Sequence, residues 1–199
     1  MDVAGILLAA GSGRRLGLAK ALVRDAEGTP WVLSRSRTLA RGGCRPLLVV
    51  LGADYDESAA LLDDEPVTVL RNRDWAEGMG SSLRLGLAAV PGTAEAANIS
   101  VVDTPGLTAG VVTRVNEYVS AGALVRATYD GVPGHPVLIG REHWPGVISL
   151  ARGDRGARDY LRVHHPVEVE CGDIGSGADV DIAEALPPGS RLPGLDGVR

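Results

Sequence analysis

Seven short apolar, β-branched runs alternate along the chain with segments of helical spacing. The runs are "VAGILLA", "PLLVVLG", "PVTVL", "ANISVVD", "ALVRATY", "HPVLIG" and "PVEVE", and between them lie stretches such as "WVLSRSRTLARG", "SSLRLGLAAV" and "GVVTRVNEYVSAG". Each run is bounded by Gly, Pro or Asp, which reads as a strand, and the intervening apolar spacing of three and four reads as a helix covering one face of a sheet. That alternation predicts an α/β fold with three layers, α/β/α, around a mainly parallel, mixed sheet of the Rossmann-like kind. In such sheets ligands sit beyond the carboxyl ends of the strands. The loops that follow the strands are therefore where chemistry is sought.

The 199 residues suffice for one α/β domain with a buried core, expected over residues 1–186. From Pro187 the sequence "PPGSRLPGLDGVR" loses periodicity, so residues 187–199 are expected to form an irregular tail. Composition is globular, with 45% hydrophobic and 23% charged residues. A net charge of -5 argues against a nucleic-acid surface, which needs a basic face. No apolar stretch approaches bilayer length and no basic segment precedes the first apolar run, so the expectation is a cytoplasmic protein without membrane contact, monomeric by default. Cys44 and Cys171 fit no metal spacing and read as reduced thiols.

The first apolar run leads into "LAAGSGRRLGLAK", residues Leu8 to Lys20. A dinucleotide loop is GxGxxG with an acid at the end of the second strand. Here the spacing is GxGxxxG and "PLLVVLG" ends without an acid until Asp54. A Walker A loop needs Lys directly after its last glycine, whereas Leu18 and Ala19 separate Gly17 from Lys20. What remains is a glycine turn whose amides can approach phosphate oxygens, with Arg15 and Lys20 as counter-charges; a plain strand-to-helix turn with solvated basic residues fits the loop equally well.

The loop resembles the signature of the MobA-like nucleotidyltransferases, which transfer NMP from an NTP to a phosphorylated acceptor. Four further stretches, "NRDWAEGMGSSLRLGL", "VVDTPGLT", "GHPVLIGREHW" and "GDRGARDYL", match the same family in the same order, and together look most like its molybdenum cofactor cytidylyltransferase branch. The resemblance implies a nucleotidyltransferase fold and a nucleotide site at Leu8, Ala9, Ala10, Gly11, Ser12, Gly13, Lys20, Gly80, Ser81 and Ser82. Arg15, Lys20 and Asp103 are implied as the catalytic residues, with Asp103 and Asp181 holding Mg²⁺. Read on their own, Asp103 also suits a turn cap in "DTPG", Asp181 the start of a last helix, and Ser81 an N-cap. Arg14 reads as a solvated neighbour, and Trp75 as core.

His135, Asp154, Arg155 and Arg158 are implied to face the acceptor, although His135 suits a structural role and Asp154 a helix cap. "LAAG" at residues 8–11, where guanylyltransferases of the group tend to have "LAGG", favours CTP. The resulting expectation is transfer of CMP from CTP to the phosphate of a molybdopterin-type cofactor, destined for a molybdenum hydroxylase apoenzyme. The alternatives are GTP or another acceptor, or a MobA-like protein of the nicotine blue oxidoreductase type that uses NAD(P)H.

Overall fold

The computed structural model describes residues 2–193. Strand β1 (Val3–Ala9) is buried along its whole length, and its alternating side chains enter two separate cores. Val3, Leu7 and Ala9 face one side of the sheet, and Ala4, Ile6 and Leu8 the other. A strand covered on both faces reads as a continuous apolar run, which is why "VAGILLA" shows no polar alternation.

The remaining strands are β2 (Leu47–Leu51), β3 (Thr68–Arg71), β4 (Ala96–Val101), β5 (Leu124–Tyr129), β6 (Val132–Gly140) and β7 (Val167–Glu170). They form one sheet in the order β3-β2-β1-β4-β6-β5-β7. β6 pairs antiparallel with β4 and β5, and the other pairings are parallel. The sheet is mixed, as expected, but β6 begins at Val132, three residues before the run "HPVLIG" suggests. Asp130 and Gly131 both have positive φ, at 52° and 76°, and close a two-residue hairpin that sets β6 directly against β5.

Helices α1 (Trp31–Arg41) and α4 (Ala109–Asn116) cover one face. Trp31, Val32, Leu39, Val111, Val112 and Val115 are buried there. The hydroxyl of Thr108 caps α4 by accepting from the Val111 amide at 3.3 Å. The short α2 (Tyr55–Ala60) packs at the edge of the same layer. On the opposite face α3 (Met79–Ala89), α5 (Trp144–Leu150) and α6 (Arg158–His164) bury Leu83, Leu87, Val147, Tyr160 and Leu161.

α3 starts at Met79, two residues before the expected cap Ser81, because Gly78 makes the turn at φ 106°. The irregular tail is described as far as Pro193. Within it Arg191 exchanges two backbone hydrogen bonds with Arg24, at 2.9 and 3.0 Å, so this part is tied to the body. Residues 194–199 of that expected tail lie outside the described residues.

β1 leads away to β2 on one side, and β4 lies on its other side, so the sheet order reverses between β1 and β4. Such a switch point leaves a crevice at the carboxyl ends of the two strands. The glycine loop leaves β1 there, and Val102-Asp103 leaves β4 there.

Candidate active site

Beyond β1 the loop turns on Gly13, at φ 54°, whose carbonyl accepts from the Leu16 and Gly17 amides at 2.7 and 3.0 Å. A Cβ at Gly13 would collide with the Leu18 carbonyl oxygen, so the turn admits no side chain there. Among the described residues the amides of Gly11, Ser12, Gly13, Arg14 and Arg15 have no protein acceptor. A run of free amides on a turn can receive an anion. Asp54, the first acid after β2, is occupied elsewhere, since its Oδ2 accepts from the Ala19 amide at 3.3 Å and ties down the far end of the loop.

Lys20 is carried by the turn Lys20–Leu22, and its Nζ lies 2.6 Å from Asp103 Oδ2 and 2.6 Å from Asp181 Oδ1. Burial alone would lower the lysine pKa, but Asp103 and Asp181 outweigh it and hold the ammonium above its ordinary value. Asp181 is correspondingly depressed by its hydrogen bond and attraction to Lys20, helped by Arg15, whose Nη1 is 3.5 Å from Asp181 Oδ2.

Neither acid takes the alternative role open to it from sequence. Asp103 faces the ammonium rather than capping the turn, while Asp181 precedes a short turn, Ala183–Ala185, whose capping position is Ile182. The two carboxylates converge on one cation within the crevice. Such an all-oxygen donor set suits a small divalent ion that takes one or two carboxylates and completes its shell with substrate phosphates and water. No group of three or more His, Cys, Asp or Glu residues gathers for a metal among the described residues, so ligands from a substrate would be needed.

The loop, Lys20 and Asp103 line a cavity of about 390 Å³. Leu8, Ala10, Gly11, Ser12, Gly13, Lys20 and Ser82 of the expected nucleotide residues face it. Ala9, Gly80 and Ser81 do not. Ala9 belongs to the opposite core. Gly80 lets α3 approach the backbone of Arg152, where a Cβ would come within 2.8 Å of the amide nitrogen. The Ser81 hydroxyl is engaged with the Asp74 and Gly78 carbonyls at 2.9 Å and with the Asn72 amide at 2.8 Å.

Among the lining residues not expected from sequence, three stand out. Arg14 lines the cavity whereas Arg15 does not, because the loop turns at Gly13 and sends the two side chains apart; Trp75 is a wall rather than core; and Met79 opens α3 onto it. The arginine pair carries no local signal that would have told its members apart.

A second cavity of about 320 Å³ adjoins the first, sharing Met79, Val101, Asp103 and Asp154 with it. All four expected acceptor residues, His135, Asp154, Arg155 and Arg158, line it. Asp154 does not cap α6, whose capping position is Ala157 without a side-chain bond. His135 Nδ1 lies 3.2 Å from the Ile99 carbonyl, which can only accept, so the proton belongs on Nδ1 and Nε2 is left as an acceptor. Burial pushes the imidazole pKa down, only partly opposed by the Ile99 carbonyl and by Asp103 and Asp179, which keeps the ring neutral at pH 7. The Thr104 hydroxyl donates inward to the Val101 carbonyl at 3.1 Å.

The arrangement sets a run of free amides and a bridged lysine on one side of Asp103, and on the other a second cavity lined by Arg126, Arg155 and Arg158 together with Asp154 and Asp179. Known proteins are similar to this chain in sequence and fold. The chain is 35% identical to nicotine blue oxidoreductase of Paenarthrobacter nicotinovorans, over 92% of this chain and 94% of that protein. It is 27% identical to molybdenum cofactor cytidylyltransferase of Escherichia coli (strain K12), over 85% and 86%. The crystal structure of Rv0371c from Mycobacterium tuberculosis H37Rv superposes with a TM-score of 0.79 at 25% identity, covering 92% of this chain and 94% of that one. A manganese complex of Rv0371c superposes at 0.74 with 23% identity, covering 90% and 94%. Residues 5–169 match the MobA-like NTP transferase domain, and with the fold and the loop in agreement, the chain is a member of that family.

Proposed function

We propose that this chain is a divalent-metal-dependent nucleotidyltransferase that moves CMP from CTP to the phosphate of a molybdopterin-type acceptor and releases pyrophosphate. The observation that carries the reading is the Lys20 ammonium held between Asp103 and Asp181 at 2.6 Å from each, with Asp103 shared by the two adjoining cavities. One cavity suits a triphosphate, the other a second anion, and the reacting phosphorus belongs between them.

A phosphate monoester has its second pKa near about 6, so the nucleophile is largely ionised at neutral pH and needs no general base. The task left to the protein is to align two anions and to offset charge at the reacting phosphorus and the leaving group. The free amides of Gly11 to Arg15 cradle the triphosphate, and Arg14 and Lys20 supply positive charge beside it. Asp103 and Asp181 would hold a divalent metal, Mg²⁺ or Mn²⁺, which would offset charge on the phosphate oxygens. Arg155 and Arg158 attract the acceptor, and His135 offers Nε2 to a donor on it. Ala10 narrows the wall of the base pocket by one methyl, which disfavours a purine by about 1 to 3 kcal/mol.

A second reading, an NAD(P)H-dependent oxidoreductase, draws support from the 35% identity to nicotine blue oxidoreductase. Against it stand the loop spacing and the Ala19 amide on Asp54 Oδ2, which engages one oxygen of the acid that would take a ribose. Pyrophosphate release should be measured with Mn²⁺ or Mg²⁺, molybdenum cofactor and each of CTP, GTP and ATP in turn, with NADPH binding followed by fluorescence. The expected result is release with CTP, reduced at least about 100-fold in Asp103→Asn. Release with GTP alone overturns the cytidylyl assignment, and tight NADPH binding without turnover of any NTP establishes the second reading.

A further inference from the structure

Arg35 is a charged residue almost wholly inside the protein, 8% exposed, on the face of α1 that packs against the sheet. Among the described residues it has no carboxylate partner within salt-bridge distance, and its Nε has no hydrogen-bond partner. Burial accordingly pulls its pKa below the ordinary arginine value, with Asp25 opposing only at a distance. Such a residue is costly unless its charge is used.

Its Nη1 faces three main-chain carbonyls of one loop, at 3.2 Å from Thr104, 2.7 Å from Pro105 and 3.3 Å from Leu107, while Nη2 donates to the Ser34 hydroxyl at 2.9 Å. That loop directly follows Asp103. Its Gly106 carbonyl accepts from the Ser176 amide at 3.1 Å, and the Asp103 carbonyl accepts from the Val180 amide at 2.9 Å, next to Asp181. Gly106 is pressed against Ser176, where a Cβ would come within 2.6 Å of the serine Cβ. Arg35 therefore stands behind one loop from which two strings of contacts run to the segment carrying the second carboxylate.

We propose that Arg35 is a positioning residue, whose guanidinium gathers the carbonyls of Thr104, Pro105 and Leu107 and so keeps Asp103 and Asp181 facing one cation. Three carbonyls drawn toward one point repel one another, and a buried positive charge with planar donors offsets that repulsion while fixing the loop's direction. A neutral side chain of similar bulk fills the space but leaves the carbonyls unpaired. The consequence at the site is a wider or more variable spacing between the carboxylates, felt first by a small divalent ion with strict geometry. The metal part of this inference rests on the function proposed above; the bracing part does not.

The experiment compares the full chain with Arg35→Met and Arg35→Lys, using Mn²⁺ alone as the probe by paramagnetic resonance, and amide hydrogen exchange without metal. Leu39→Ala, which truncates a fully buried residue one turn further along the same helix and without contact to the Thr104–Leu107 carbonyls through a hydrogen bond, is the control for lost stability. Arg35→Met is expected to weaken Mn²⁺ binding about 10- to 100-fold, as loss of an outer partner of a metal site does. Arg35→Lys recovers part of that, and Leu39→Ala leaves it unchanged. The Ser176 and Val180 amides exchange faster in Arg35→Met than its loss of global stability accounts for. If Arg35→Met does not fold, Arg35→Lys carries the same comparison with a smaller expected change.

Unchanged exchange at Ser176 and Val180 overturns the proposal, as does Mn²⁺ affinity that falls no further in the Arg35 variants than in Leu39→Ala. If the unaltered chain itself fails to bind Mn²⁺, the metal-dependent function falls, and the exchange rates alone then decide whether Arg35 braces the carboxylate pair.

Discussion

Gly13 and Lys20 illustrate two different ways in which a residue's role can be read. The glycine is needed because the loop reverses at φ 54° with the Leu18 carbonyl where a Cβ would stand, and that nearest neighbour is backbone that cannot swing aside. Gly13→Ala is expected to cost about 1 to 3 kcal/mol of stability, measured by denaturant unfolding, and to lower nucleotide affinity as the cradle distorts. Gly11→Ala, where the same Cβ meets open space, is expected to leave stability within about 0.5 kcal/mol of the starting protein.

The meeting of Lys20 and Asp103 at one cavity was legible because family motifs place them at the end of a glycine loop and the end of a strand. Trp75 was not, since a tryptophan in sequence looks the same whether it fills a core or walls a cavity. Nor could the chain order of Arg14 and Arg15 tell which side chain enters the cavity; that depends on the direction the loop takes after Gly13.

At the scale of elements, the β5–β6 hairpin is held by one carboxylate. Glu170, at the end of β7, accepts from the amides of Asp130 and Gly172 at 2.9 Å and of Gly131 at 3.2 Å, and from the Thr128 hydroxyl at 2.8 Å. The Gly172 amide, then Thr128, Gly131 and Asp130, lower its pKa from 4.5 to about 2. A carboxylate depressed on folding stabilises the protein above its unfolded pKa, and the contribution is lost as pH falls through the folded one. Glu170→Gln is therefore expected to be less stable than the starting protein at pH 6. The gap should narrow between about pH 5 and pH 2 in unfolding curves taken side by side. A gap that stays constant over that range would show that the charge on Glu170 does not hold the turn.

The strand and helix runs themselves were visible in the sequence, since buried strands here are unbroken apolar stretches. The reversed direction of β6 was not read from them. Its local signal stood in "YDGVP", where an Asp-Gly pair between apolar flanks marks a tight hairpin, but the prolines and glycine of Val132–Gly140 mask the strand that follows.

For the whole molecule, the consequence of the sheet order is that three distant stretches meet at one crevice. The loop after β1, the turn after β4 and the segment at Asp181 are separated by 83 and 161 residues from Lys20 in the two contacts that join them. Ligand that bridges these stretches should stabilise the fold as a unit. CTP with Mn²⁺ at about 100 times its dissociation constant contributes about 2.7 kcal/mol, which for a chain of this size raises the melting temperature by about 5 to 10 °C. Removing the metal with a chelator, or one carboxylate of the pair with Asp103→Asn, is expected to abolish most of that rise in a thermal scan. An equal rise with NADPH and none with CTP would instead favour the oxidoreductase reading.

Sequence by itself determined the layered α/β class, the glycine loop, the carboxylate at the end of β4 and the grouping of His135, Asp154, Arg155 and Arg158 in one cavity, because each depends on spacing within a few residues or on an ordered string of motifs. Only the tertiary structure decided that Asp181 meets Lys20, that the two cavities share Asp103, and that Arg35 backs the loop between them. The physical reason is that these are distances between segments remote in the chain. They are fixed by strand order and helix packing, and no local preference of the residues concerned encodes them.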